Sequence, residues 1–311
     1  MHPEIAALRG DDAPQRKAQA VLAKALERWS TLPETRATLA DLARFADPGV
    51  ALGDCPALAG MLAGAGLGWV RGLVDVLLPA LAGARLGHVP LRHFTNGLTS
   101  TLLLGRAGET TLALVAVDGP ALARQPPGRS VVFAPLESHE LVLAGHARAE
   151  MITAPDAREK HEIALAPGQA ITRDGARHAL RLLAVEGCLV TLRLQRRPRH
   201  GVVAQEIDLA SGHLLHRSTG VMRESRHALM IALLGRMGRA DALPVLAEIA
   251  QEHVGDDLRW QALREGLGLD TARGFATLCA VADRADDPLA GQAAALRAHL
   301  QATYPALRAI A

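Results

Sequence analysis

One short pattern is written twice between residues 126 and 194, and it constrains the fold more than any other part of the chain. The first copy runs from Pro127-Gly128 to His139, and the second runs from Pro167-Gly168 to His178. In each copy a Pro-Gly turn is followed by an apolar run, a histidine and a second apolar run. Since turn residues between short Val-, Ile- and Leu-rich runs are typical of paired β-strands, the repeat predicts two similar hairpins.

The pattern continues on both sides of the repeat. From His88 to about Thr219, short runs rich in Val, Leu, Ile and Thr alternate with turn dipeptides such as Asn96-Gly97 and Asp118-Gly119. Many short strands at even spacing are typical of a β-sandwich or a small barrel. We therefore expect an all-β central domain over residues 88–219.

Helical patterns flank this β-region. Residues 1–87 contain Ala- and Leu-rich segments such as Gln15–Trp29, with a proline just before the helix and another just after it. Residues 220–311 read as a series of helices in which two units repeat about thirty residues apart, which is similar to a short HEAT-like stack. The expected fold class is α+β multidomain, and the C-terminal helices are interpreted either as a partner-binding surface or as a cap on the β-domain.

The composition argues against nucleic-acid binding and against a zinc ribbon. The net charge is +2, and the chain has only three Trp, one Tyr and four Phe, so neither a basic surface nor stacking faces for nucleic acid are expected. The three cysteines Cys55, Cys188 and Cys279 form no CxxC pair, which argues against a zinc ribbon and for a reducing compartment.

The same reasoning predicts a cytoplasmic protein without a membrane span. The charged N-terminus is unlike a signal peptide. The longest apolar stretch, about Leu58–Leu86, is interrupted by glycines, by Arg71 and Asp75, and by Pro79. We interpret it as a buried helical pair.

The second copy carries a resemblance to a known superfamily. Gly168 is followed by Arg173-Asp174-Gly175-Ala176-Arg177-His178 and then by Glu186-Gly187-Cys188 before a closing apolar run. This resembles the second motif of the cupin superfamily, and the closest similarity is to cupins of the anti-sigma-factor type. The resemblance implies an antiparallel β-barrel or jelly roll. It also departs from the family, because no His-x-His of the first cupin motif is present.

The histidines supply the candidate site. His178 matches the motif histidine, and His139 is its equivalent in the first copy. If the two related strands face one interior, both rings point inward, and His93 on the first strand is the best third ligand. His93, His139 and His178 are therefore the predicted metal ligands, with Fe or Zn as the metal that the resemblance implies. The alternative is that each ring is half-buried and hydrogen-bonded to backbone or solvent.

Three functions follow as hypotheses. The first is a cupin-like protein that binds a small molecule or a divalent metal, with an iron-dependent oxygenase as its enzymatic form. The second is a non-catalytic sensor or adaptor of the bacterial regulator type, whose HEAT-like helices bind a partner protein. The third is a homodimer that pairs through apolar sheet faces.

Overall fold

In the computed structural model, the residues that can be described are 10–155, 157–197, 203–219, 222–252 and 254–310. Residues 1–9 of the predicted helical lead-in lie outside them. The described chain divides into two compact units, one formed by residues 1–197 and 207–213 and the other by the remainder. The three-part division predicted from the sequence stays a prediction.

The N-terminal helices agree with the sequence pattern. They are α1 (Ala13–Ser30), α2 (Pro33–Phe45), α3 (Pro56–Gly60) and α4 (Gly66–Gly83), with a 3-10 turn at Leu52–Asp54 and a π-helical turn at Met61–Ala65. Proline stands in the first turn of α1, α2 and α3, where the missing N–H has no helical partner to lose.

The stretch that contains α3 and α4 is the most apolar part of the N-terminal helices. Among the described residues, Pro56–Gly83 is long and apolar enough to cross a membrane by length and composition, with 33% of its most apolar window buried. Its buried side contributes Trp69, Leu73 and Leu77 to the core shared with the sheet. The expectation of a cytoplasmic protein stays a prediction.

The described strands number ten, and the main sheet contains seven of them. They are β1 (His93–Thr95), β2 (Thr99–Ala107), β3 (Thr110–Asp118), β4 (Ser130–Phe133), β5 (Glu137–Thr153), β6 (Lys160–Leu165), β7 (Ala170–Asp174), β8 (His178–Arg196), β9 (Val203–Asp208) and β10 (Leu214–Thr219). The order in the sheet is β1-β2-β3-β8-β5-β6, and β7 also pairs with β5. The short helix α5 (Gly119–Ala123) follows β3.

The predicted antiparallel sheet is confirmed, but the prediction that it closes into a barrel is wrong. β1 and β6 stand at the two ends of the strand order in the described chain and do not pair with each other. The two hairpins predicted from the repeat are not formed either: among the described strands, β4 is not a neighbour of β5, and β7 pairs with β5 and not with β8. Both the pairing within each copy and the closure depend on strands far apart in sequence. Such pairing leaves no local signal.

The two longest strands form the centre of the sheet. β5 and β8 pair along almost their whole length, from Glu137 opposite Arg196 to Thr153 opposite His178. The sequence pattern predicts two separate strands within each of them. The register shifts around Ala144, and Gly145 adopts φ +84° there. Val142 and Ala147, which simple alternation places on opposite faces, therefore pack in one cluster.

The sheet has two different faces. On the first, Leu141, Leu143, Leu192 and Leu194 pack against the N-terminal helices. On the second, Val117, Val142 and Leu189 pack with residues from the far halves of β5 and β8. We call these the helix-side face and the inner face.

The second unit contains five α-helices within the described residues. They are α6 (Met222–Arg236), α7 (Leu243–Gln251), α8 (Asp256–Leu269), α9 (Thr271–Ala282) and α10 (Ala290–Thr303). They share a core that includes Ile231, Leu246, Leu263, Phe275 and Leu278. Asp270 caps α9 by accepting hydrogen bonds from the backbone N–H groups of Ala272 and Arg273. The HEAT-like character of this stack stays a proposal.

Replacing Gly145 tests the bulge. A Cβ at this position would lie 2.1 Å from the carbonyl oxygen of Cys188, whereas at Gly187, also at positive φ, it would meet nothing within 4 Å. We expect Gly187→Ala to cost about 1 kcal/mol from backbone conformation alone. We expect Gly145→Ala to cost about 3 kcal/mol or more, since β8 must move as well. Urea unfolding measures both, and equal losses would contradict the close approach.

Candidate functional site

The three predicted metal ligands lie in different parts of the sheet. His93 is exposed in β1 and pairs with Leu102 of β2. His139 is buried near the start of β5. His178 is the first residue of β8 and lies opposite Thr153, the last residue of β5. β2, β3 and β8 stand between β1 and β5 in the strand order.

The structure does not bring these histidines together. His139 and His178 are at opposite ends of β5 because the two copies of the repeat contribute to different strands that run antiparallel. In the described part of the chain, no three His, Cys, Asp or Glu side chains are grouped so that they could hold a metal ion. The predicted Fe or Zn centre therefore does not fit this geometry, and we derive no reaction step through it.

His139 is engaged on both ring nitrogens. Its Nε2 lies 2.8 Å from Oε1 of Glu137, and its Nδ1 lies 3.1 Å from Oγ1 of Thr172 on β7. The ring also stands edge-on to Phe45 of α2. His139 is therefore a hydrogen-bonded ring and not a metal ligand, which is the alternative prediction for the histidines. It lies on the helix-side face, and its partners are side chains.

Arg196 completes this helix-side cluster. Its Nε and Nη2 donate to Oε2 of Glu137. Its Nη1 donates to the carbonyl oxygens of Phe45, Asp47 and Val50, and its Cζ lies 3.9 Å from the centre of the Phe45 ring. A guanidinium satisfies the free carbonyls at a helix C-terminus well. The cluster therefore attaches α2 to the sheet and has a structural role.

A second charged cluster occupies the inner face. Glu140 on β5 is 2% exposed in its side chain, and its two oxygens accept hydrogen bonds from Arg173 on β7 and from Arg193 on β8. The hydroxyl of Ser138 lies 3.3 Å from Oε1 of the same carboxylate. Arg193 is directly opposite Glu140 in the register. Two cations thus share one buried carboxylate.

The charge state of Glu140 follows from its neighbours. Burial by itself raises the pKa of the carboxyl, but the charges of Arg193 and Arg173 and their hydrogen bonds outweigh it, and the pKa lies below its ordinary value. Glu140 is therefore ionised at neutral pH. One carboxylate facing two guanidinium groups leaves the cluster with a net positive charge.

Two polar atoms on this face are buried without a partner among the described residues. They are the Oγ1 of Thr191 and the Nε of Arg173. Thr191 stands two positions before Arg193 on β8, so both side chains leave the same face of the strand. A buried hydroxyl or N–H without a partner costs about 1–3 kcal/mol. Both groups are donors: one belongs to the cationic cluster, and the other lies two residues along the strand from Arg193.

Solvent reaches this cluster from one side. The side chain of Arg193 is 30% exposed, whereas that of Arg173 is 13% exposed. A molecule in solution can therefore contact Arg193 first. Guanidinium forks and a hydroxyl donor bind carboxylate or phosphate oxygens. The sequence interpretation missed these residues, although the polar positions within the apolar run from Val190 to Leu194 are a signal for them.

The helical unit has a groove of its own. It has a volume of about 850 Å³. Its walls include Trp260, Leu267, Leu296, Leu300 and Tyr304, and Arg264 is the charged side chain that lines it.

Comparisons with known proteins give structural similarities only. Neither a protein-family model nor a curated protein matches this chain. Among solved structures, a cupin superfamily protein from Desulfitobacterium hafniense DCB-2 is 16% identical, with 34% of this chain and 83% of that chain covered and a TM-score of 0.23.

Two further solved structures are similar at the same level. HutD from Pseudomonas fluorescens SBW25 is 19% identical, covering 35% of this chain and 58% of its own, with a TM-score of 0.25. Oxalate decarboxylase from Lactobacillus farciminis, in a formate complex, is 16% identical, covering 40% and 37%, with a TM-score of 0.27. Such low TM-scores assign neither a family nor a function to this chain, so the cupin resemblance stays a proposal.

Removing the Glu140 carboxylate tests the inner cluster. Glu140→Ala leaves two partly buried guanidinium groups without their counter-ion, and we expect it to cost about 3–5 kcal/mol of unfolding free energy. The control is Glu162→Ala, which breaks an exposed pair with Arg148 and should cost less than about 1 kcal/mol. Urea unfolding at neutral pH measures both, and similar small losses would show that the buried cluster contributes nothing.

The pKa of Glu140 gives a second, pH-dependent readout. Because the folded pKa is lowered, the stabilisation is present above the ordinary carboxyl pKa of about 4.3 and is lost as pH falls through the folded value. The stability difference between the protein and Glu140→Gln should therefore shrink below about pH 4. A constant difference down to the acid transition would contradict an ionised, paired Glu140.

Proposed function

We propose that the first unit binds a small organic carboxylate on the inner face of its sheet. Arg193 and Arg173 supply the positive charge, and the hydroxyl of Thr191 supplies a further donor. The observation that carries the proposal is the combination of a net cationic buried cluster with a buried, unpartnered Thr191 hydroxyl two residues along the same strand. This is the small-ligand form of the cupin-like function.

Glu140 has a positioning role in this proposal. By accepting from both arginines, it holds the two guanidinium planes in fixed orientations before any ligand arrives. Side chains that are already ordered lose less conformational entropy on binding, so more of the interaction energy contributes to affinity. The carboxylate also lowers the desolvation cost of keeping two cations on a largely apolar face.

The ligand should be small and should carry its charge at one end. The inner face beside the cluster carries apolar side chains, and Val142 stands two positions after Glu140 on β5. An aliphatic acid would place its carboxylate on the exposed part of Arg193, beside Thr191. A metal-dependent reaction such as that of an oxygenase is not part of this proposal, because the candidate ligands lie apart.

The adaptor hypothesis concerns a different surface, on the helices of the second unit. Its support is the groove beside α8 and α10, where Trp260 and Tyr304 offer aromatic surface, a common feature of protein-binding sites. Binding of a small acid on the sheet and of a protein on the helices do not exclude each other. The adaptor function stays the alternative.

Thr191→Val gives the sharpest test of carboxylate binding. Valine has nearly the shape of threonine without the hydroxyl, and that hydroxyl has no partner in the described structure. The substitution should therefore leave unfolding free energy within about 0.5 kcal/mol or increase it. It should weaken carboxylate binding about five- to tenfold, since one hydrogen bond to a charged ligand is lost. Calorimetric titration with acetate, butyrate and succinate measures affinity.

Matched variants and probes complete this experiment. Arg193→Lys keeps the charge but loses the two-pronged contact, so affinity should fall while binding persists. Arg148→Lys on the exposed surface is the control. The neutral butyramide and inorganic phosphate are the comparison ligands. No binding by any of the carboxylates, or equal binding of butyrate and butyramide, would refute the proposal. So would a Thr191→Val protein with unchanged affinity.

A further inference from the structure

Helix α4 has an exposed face that the described part of the chain leaves uncovered. Trp69, Val70, Leu73 and Leu77 are buried against the rest of the first unit. On the opposite side Leu67, Val74 and Leu78 are exposed, to 43%, 47% and 63%. This face, which we call the outer face of α4, runs through positions 67, 68, 71, 74, 75 and 78 and follows the helical period. Three large apolar side chains on one helix face are unusual for a surface that contacts only water.

Two opposite charges stand in the middle of this face. Arg71 and Asp75 are both exposed, and no hydrogen bond or ion pair is made by either within the described chain. They are one helical turn apart, a spacing at which a pair within the helix is common. Each is therefore open to a partner outside the fold.

Glycines lie beside the apolar side chains. At Gly68 an added Cβ would meet nothing within 4 Å, and the same holds at Gly72. Both positions are thus open on the outside, and the absence of a side chain lets another backbone approach closely. The face alternates large side chains with gaps.

The arrangement is complementary to itself. When two copies of α4 pack antiparallel about a two-fold axis level with Leu73, residues equally far from position 73 face each other. Arg71 then faces Asp75 of the second copy. Leu78 faces the gap at Gly68. Because the axis is two-fold, each of these contacts is made twice, as an isologous interface requires.

We propose that the outer face of α4 is the contact between two copies of this chain. One choice of axis pairs both charges with opposite charges and places Leu78 against Gly68. Sliding one helix past the other by one helical turn places Arg71 opposite Arg71 or Asp75 opposite Asp75, which is repulsive. The charges therefore fix the register, and the apolar contacts supply the attraction.

A second copy explains this face better than a lipid bilayer does. Insertion of α4 would bury Arg71 and Asp75 at the middle of its apolar stretch, where charged side chains cost several kcal/mol. It would also require Trp69, Leu73 and Leu77 to leave the protein core that they share with the sheet. Pairing of two copies leaves that core intact and gives both charges a partner.

Charge reversal tests the pairing and its symmetry together. In a dimer, Arg71→Asp sets carboxylate against carboxylate at both charge contacts, and Asp75→Arg sets guanidinium against guanidinium at both. Each variant should therefore raise the dimer dissociation constant at least about tenfold. The double variant Arg71→Asp with Asp75→Arg restores both pairs and should dimerise as the unaltered protein does. Sedimentation equilibrium over a wide concentration range measures all three.

Mixing the two single variants gives a result that other interfaces do not predict. One chain then carries two aspartates on this face and the other carries two arginines, so both pairs form only between unlike chains. The mixture should form a one-to-one heterodimer, although each variant alone is monomeric.

Gly68→Leu should also prevent dimerisation, because its side chain would meet Leu78 of the other copy. Lys24→Asp on the exposed side of α1 is the control and should leave dimerisation unchanged.

Folding controls and three contrary results decide whether the proposed dimer exists. Circular dichroism and thermal unfolding should show that these surface variants fold, since none of the replaced side chains is packed inside the fold. A full-length protein that is monomeric at all concentrations refutes the proposal. So does a dimer that survives both single reversals. Flotation of the full chain with neutral phospholipid vesicles that is abolished by Leu78→Asp would assign the face to a membrane and also overturn the proposal.

Discussion

The pairing of β5 with β8 is the constraint on which the first unit depends. These strands hold the centre of the sheet, and their two faces serve different purposes. On the helix-side face Leu141 and Leu192 pack against α4, where a Cβ on Gly66 would lie 2.9 Å from Leu192. On the inner face the same ladder holds Glu140 opposite Arg193. The register shifts around the close approach at Gly145, and β5 pairs with β8 on both sides of it, so one pair of strands serves both halves of the sheet.

Local chemistry explains why part of the fold could be predicted. Pro14 and Pro33 indicate the starts of α1 and α2, and the dipeptides Asn96-Gly97 and Asp174-Gly175 indicate turns between strands, because each requires a particular backbone conformation. The joining of four predicted strands into β5 and β8 has no such local cause. Gly145 has the sequence context of a turn residue, whereas it is a bulge inside one strand. Its role depends on Cys188, which lies far along the chain.

The candidate site differs from the sequence prediction because a sequence repeat does not show on which face of the sheet a side chain lies. The alternation of side chains along a strand does show this. His139 and His178 occupy equivalent places in the two copies, but equivalence in sequence does not put two residues on one face. His139 alternates with Leu141 and Leu143, which pack on the helices. Glu140 alternates with Val142, which packs on the inner face. Strand parity around the second copy also separates Arg193 and Thr191 from Leu192 and Leu194. Only the pairing of β7 with β5, which is long-range, shows that Arg173 joins them.

Arg193 and Arg196 stand on the same strand and show how a structural arginine differs from one available for binding. Arg196 uses its donors on Glu137 and on three carbonyl oxygens at the end of α2, so nothing remains for a ligand. Arg193 shares one carboxylate with Arg173 and keeps part of its side chain in solvent. Buried ion clusters of this kind can often be replaced by apolar residues without loss of stability. Stability alone is therefore a weak reason for two arginines on this face, and the proposed binding of a carboxylate would give them a further role.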